Sequence, residues 1–171
     1  MSGKTIGLQM NNGFAGSYAR QPNMVINTKP NIGSTAIPFG APVMQATNGV
    51  QFPADSAAAT PFSATNFVGV AARQIQSPNN YLAQNDAGEY QQNDAVAVFQ
   101  QGRINVKVAQ GTPAMYGDVY VRITADTGKN VGDWECAADS GKCVKVTNCQ
   151  WGGPKDANGI AELVIFTGIG A

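Results

Sequence analysis

Apolar residues recur at every second position over several short runs in the last two thirds of the chain, the spacing that turns one face of a strand inward. FVGVAA at 67–72 is the first such run. Val96, Val98, Ile104, Val106 and Val108 alternate with small or polar neighbours on either side of Gln100, Gln101, Gly102 and Arg103, which read as a hairpin turn. Val119, Val121 and Ile123 alternate with Tyr120 and Arg122, and Val144 and Val146 with Lys145 and Thr147. GIAELVIFTG at 159–168 is apolar at nearly every position and predicts a central strand covered on both faces. Turn residues punctuate the runs, among them Gly88, Gly111, Gly117, Asp126-Thr127-Gly128, Asp139-Ser140-Gly141 and Asn158-Gly159. Such spacing predicts an all-β fold, an antiparallel β-sandwich or jelly-roll-like body. Helix is confined to a single turn at 54–59 and a stretch at 74–84 that Ser77-Pro78 interrupts.

Residues 1–61 follow another pattern. Pro22, Pro30, Pro38, Pro42, Pro53 and Pro61 recur among Asn and Gly, so no helix of ordinary length fits between them and the chain is expected to be extended and irregular. Yet Phe14, Tyr18, Met24, Val25, Ile26, Ile32, Ile37, Phe39 and Phe52 supply apolar anchors that a disordered tail lacks. A segment so anchored must lie against its own body or another subunit. The resulting division is an extended N-terminal arm over 1–35 and a β-sandwich body over 36–171.

The 171 residues suit one domain, and only 13% are charged, about half the usual share. Eleven bases balance eleven acids, which gives no net field to draw the molecule onto nucleic acid or an anionic membrane. Residues 1–54 nevertheless hold Lys4, Arg20 and Lys29 and no acid, Asp55 being the first carboxylate. A weakly positive first third thus joins a weakly negative remainder. No apolar stretch has the length of a signal peptide or of a membrane span, so a cytosolic protein with reduced thiols is expected.

There is no histidine. Ser-His-Asp and Cys-His nucleophilic schemes, histidine general bases and histidine-ligated metals are thereby removed together. Cys136, Cys143 and Cys149 are too widely spaced for a structural zinc site and are expected to be buried, inert thiols. The geometric alternative is a disulfide: with Asp139-Ser140 as a two-residue turn, Cys136 would face Cys143 across an antiparallel pair. Asp86, Glu89 and Asp94 surround Gly88 without the dense ligand spacing of a calcium loop, and read as a solvated turn rather than a metal site or a glycosidase pair. Trp134, Trp151, Tyr81, Tyr90, Tyr116 and Tyr120 could form a sugar platform, though core packing is the commoner fate of aromatics in a β protein. No enzyme, cofactor, metal or small-molecule ligand is expected.

Five stretches carry a resemblance: IPFGAPVM at 37–44, FVGVAARQI at 67–75, YQQNDAVAVFQQGRINVKVA at 90–109, YGDVYVRI at 116–123 and GIAELVIF at 159–166. In their order and spacing the chain resembles the structural cement (capsid decoration) proteins of tailed phages, the Gp24-like group. The resemblance implies a virion protein with a β-sandwich body on the outer capsid surface, assembled in the host cytoplasm. There it would bind the major capsid protein and bridge neighbouring subunits, with no catalytic residues. Self-association as a homodimer or homotrimer is expected beside it. Phe14, Tyr18, Arg20 and Met24 are the arm's candidate partner contacts. The alternatives are a minor tail or baseplate component, or a sugar-binding module on the capsid surface.

Overall fold

A computed structural model describes residues 11–55, 60–74 and 88–166. The helical candidate at 74–84 falls outside these residues, Gln74 excepted. Of the turn expected at 54–59, a 3-10 turn at Pro53–Asp55 is described, and 56–59 lie outside.

The all-β body is organised around one strand. Counting in chain order, the strands are β1 (Tyr18–Pro30), β2 (Ile37–Pro38), β3 (Pro42–Ala46), β4 (Gly49–Gln51), β5 (Phe67–Ala71) and β6 (Glu89–Tyr90). They continue with β7 (Ala95–Gln110), β8 (Tyr120–Arg122), β9 (Trp134–Glu135), β10 (Cys143–Lys145), β11 (Cys149–Trp151) and β12 (Ile160–Ile165). β7 pairs with β1 from Ala95 to Ile104, β5 at Val98 and Phe99, β12 from Gly102 to Lys107, and β9 at Val108 and Gln110. All of these pairs are antiparallel except that with β9.

The hairpin expected at 100–103 does not form, because β7 runs straight through it. Reversal needs a two-residue loop with the left-handed conformation in the right place. Here Gly102 alone takes a positive φ, 112°, and the flanking residues are claimed by other strands. Gln101 lies opposite Val25, Arg103 opposite both Arg20 and Val164, and Gly102 opposite Ile165. The glycine bends the strand and lets the Asn23 carbonyl approach closely; a Cβ at 102 would stand 2.3 Å from that oxygen.

Four consecutive β7 residues, Val96 to Phe99, are at most 1% exposed, so both faces of the strand are covered there. β5 is buried at every position for the same reason. β12 lies between β7 and β11, as a run apolar on both faces requires. Trp134 ties the flank formed by β8, β9 and β10 to the rest of the core: its ring meets Phe67 edge-on at 6.2 Å, and its indole N–H donates to the Gly40 carbonyl at 2.7 Å.

The proline-rich first third is more regular than expected. Three of its prolines sit at strand ends, where a missing N–H is tolerated: Pro30 and Pro38 close β1 and β2, and Pro42 opens β3. β3 and β4 form a hairpin that pairs onward through β5.

Where β1 ends, Asn31 acts as a clasp. It is fully buried, its Nδ2 donates to the carbonyls of Thr35, Tyr90 and Gln91, and its Oδ1 accepts from the Gly33 N–H. Asp55 then accepts from Ser34 Oγ, Thr35 N and Thr35 Oγ1. Asn31→Ala removes the buried donor to the Tyr90 carbonyl and the buried acceptor of the Gly33 N–H, and is expected to lower unfolding free energy by about 1–3 kcal/mol. Urea unfolding measures this, and an unchanged midpoint would mean that water replaces the amide.

Candidate functional site

The first part of the acid-free segment crosses the body as β1, fastened at both ends. At its start, Asn12 N donates to Asp156 Oδ2 at 2.8 Å and Asn12 Nδ2 to the Ile160 carbonyl at 2.8 Å. Asn105 exchanges main-chain bonds with Gly16 and Ser17, at 2.7 and 2.9 Å. Asn31 and Asp55 hold the other end. Between the fastenings β1 has β7 as its strand partner, and most of its side chains face solvent.

The four candidate contact residues divide by orientation. Phe14 is 66% exposed, with the Arg73 guanidinium over its ring at 4.9 Å. Arg20 is also largely exposed and donates from Nε to Glu162 Oε2 at 2.9 Å. Tyr18 instead stacks on Phe99 at 5.8 Å, and Met24 packs against the core. Val25 and Ile32 add exposed apolar surface along the same segment.

Sequence reasoning missed the partner of Arg20. Glu162, on β12, is gripped by Arg20 from β1 and Arg103 from β7. Burial works against its ionisation, but the two arginine hydrogen bonds outweigh this and hold the carboxyl below the usual range. The signal was present only as a lone acid in an apolar strand.

A second charged cluster is structural. Arg122 is fully buried and donates from Nε to Glu135 Oε1, from Nη2 to Asp139 Oδ2 at 2.8 Å and from Nη1 to the Thr124 carbonyl at 3.2 Å. Hydrogen bonding to Glu135 outweighs desolvation and raises the arginine's pKa further. Asp139 is held below the usual carboxylate range, chiefly by the Arg122 hydrogen bond, and Asp126 likewise by Lys142.

These depressed carboxylates fix the sign of the acid response. A group whose folded pKa lies below its unfolded value stabilises the fold above the unfolded value, about 4, and loses that contribution as pH falls through the folded one. The urea midpoint is therefore expected to be level near neutrality and to fall below about pH 4. Glu162→Gln should make the fall shallower, and an unaltered slope would show that the arginines do not stabilise the ionised carboxyl.

The three cysteines are free thiols. The opposition of Cys136 and Cys143 expected across a two-residue turn is not what forms: Cys143 lies opposite Arg122, and β8 stands between β10 and β9. The Asp139 carbonyl accepts from both Lys142 N and Cys143 N, which closes a wider loop than the pairing requires. Cys143 Sγ donates instead to Glu135 Oε2 at 3.3 Å. Burial pushes both thiols up to about 11, for Cys143 with help from Glu135, so neither is an activated nucleophile.

Asp86 and Tyr81 lie outside the described residues. Glu89 accepts from Gln91 Nε2 and Asp94 from Gln91 N, at 2.8 Å each, as in an ordinary turn. Among the described residues no group of three or more acids or cysteines is placed to hold a metal. Trp134, Trp151 and Tyr90 are core residues and Tyr116 stands exposed, so these aromatics do not make a common platform.

Comparison with known proteins gives a family. The model of a family described as structural cement protein (E217 gp24/Pam3 gp6) matches residues 3–166. No curated protein matches the chain. Among solved structures, a chain from "The capsid of Myoviridae Phage XM1" is similar in fold, with a TM-score of 0.66 and 16% sequence identity over 99% of this chain and 100% of that one.

Proposed function

Because the chain belongs to the phage structural cement protein family and is thus a structural component of the virion capsid, we propose that it works by bridging neighbouring subunits of the major capsid protein from outside the shell. The observation that supports this mode is β1: a strand of 13 residues, clasped at both ends, with β7 as its strand partner and mostly exposed side chains. Such a strand is a stiff contact strip. Its order is already established within this chain, so a partner binding to it loses little conformational entropy.

Phe14, just before the strip, and Arg20 within it make direct contacts, while Tyr18 and Met24 hold the strip to the body. A molecule attached to two shell subunits gains avidity, since its second attachment is effectively intramolecular. Many individually weak contacts then suffice.

Cryo electron microscopy of the host particle with and without this protein tests the reading. Density on the outer surface spanning two shell subunits, with 11–35 against them, is the expected result. Density inside the shell, at the tail, or on a single subunit would sink it.

A further inference from the structure

A cleft of about 370 Å3 opens where β1 leaves β7. Between Arg20 and Val25 β1 advances five residues, while β7 advances only from Arg103 to Gln101. The surplus residues form a broad bulge, which the close approach of the Asn23 carbonyl to Gly102 makes room for. Bulges of this kind redirect side chains and are common beside functional sites.

Gln21 and Asn23 line the cleft on the bulge side, Arg20 and Arg103 lie at its charged end, and Val164 and Phe166 form an apolar wall. Phe166 is half exposed. The charges do not balance: both guanidiniums use one nitrogen each on Glu162, and no carboxylate lines the cleft itself. Their remaining N–H groups have no hydrogen-bond partner among the described residues. Each guanidinium presents five donors in a fork that matches a carboxylate.

We propose that this cleft receives an acidic peptide segment of the shell protein, with an Asp or Glu carboxylate meeting the guanidinium nitrogens of Arg20 and Arg103 that Glu162 leaves open and a neighbouring apolar side chain lying on Val164 and Phe166. The assignment rests on the cement reading above, and gives it a specific chemical contact. The bulge's amides, Gln21 and Asn23, are placed to bond the segment's main chain. The excess positive charge makes attachment sensitive to salt, since exposed charges are screened over about 8 Å at physiological ionic strength.

Co-sedimentation with purified host shells lacking this protein tests the proposal, with affinity measured at several salt concentrations. Arg20→Gln and Arg103→Gln are each expected to weaken binding about tenfold and the double variant about a hundredfold, with a shallower salt dependence. Arg103→Lys, which keeps a charge beside Glu162, should retain intermediate binding and guards against a folding defect. Lys107→Gln, at an exposed base outside the cleft, should bind like the wild type. Equal binding by the wild type and the double variant overturns the cleft while leaving the cement reading intact. Failure of the wild type to bind overturns both. Sedimentation velocity separates the other occupant: a double variant that loses self-association but keeps shell binding would assign the cleft to a second copy of this chain and overturn the proposal.

Discussion

Glu135→Ala is expected to lower unfolding free energy by about 3–5 kcal/mol, the usual cost of removing one partner from a buried ion pair. Arg122 is fully buried, and Glu135 is 3% exposed. Water cannot easily replace the lost carboxylate. Asp139 stays on Nη2, but it is the more exposed of the two acids at 33% and does not reach Nε. Cys143 Sγ loses its acceptor in the same step. Asp139→Asn should therefore cost much less, since exposed pairs contribute little. Replacing both Arg122 and Glu135, by Met and Leu, should recover most of the loss, because the penalty comes from the charge left alone. Urea unfolding of the three variants decides the matter. A loss below about 1 kcal/mol for Glu135→Ala would mean that the guanidinium finds compensation elsewhere.

Gly69→Val should do comparable damage for a steric reason. Gly69 lies in β5 at φ 149°, and a Cβ there would stand 2.3 Å from the Phe99 carbonyl oxygen and 3.0 Å from Val98 Cγ1. A main-chain oxygen inside the central pairing cannot swing aside as a surface side chain can. Backbone strain of about 1–3 kcal/mol and overpacking of about 1–3 kcal/mol add at this position. For a chain of this length their sum lowers the melting temperature by roughly 10 °C. Gly153→Ala is the control, because an added Cβ there meets nothing within 4 Å. Calorimetry that found the two variants equally stable would show that β5 can move away from β7.

Both sites concern a body whose strands were partly legible in the sequence. The period-two runs located β5, β7, β8, β10 and β12, because alternation along a strand is a local property of the backbone. The same local rule misread two features. Gly102 looked like the centre of a hairpin, and only the flanking β1 and β12 show that the strand continues. Arg122 alternates with Val121 and Ile123 and so reads as solvent-facing, but the loop carrying Asp139 folds over it. Prolines hid β1 and β3, since a proline at a strand end resembles one in a loop until the neighbouring strand is known.

The candidate site was legible in fewer of its parts. The acid-free run and its apolar anchors singled out the segment that became β1, and Arg20 within it. Nothing in that run pointed to Glu162, which lies 142 residues farther on. Nor did the run show that Tyr18 would stack on Phe99 while Phe14 stayed in solvent.

By itself the amino-acid order determined an all-β chain without histidine, an uncharged overall balance, and five blocks whose spacing matches a cement family. Those properties follow from side-chain alternation, from composition and from the order of segments, each of which is complete within the chain's own succession. Only the tertiary structure decided that β1 lies on β7, that two arginines from different strands meet one glutamate, and that a bulge opens a cleft beside them. Such meetings depend on which distant strands pair and in what register, and a shift of one residue in that register would turn every side chain of β1 to the opposite face.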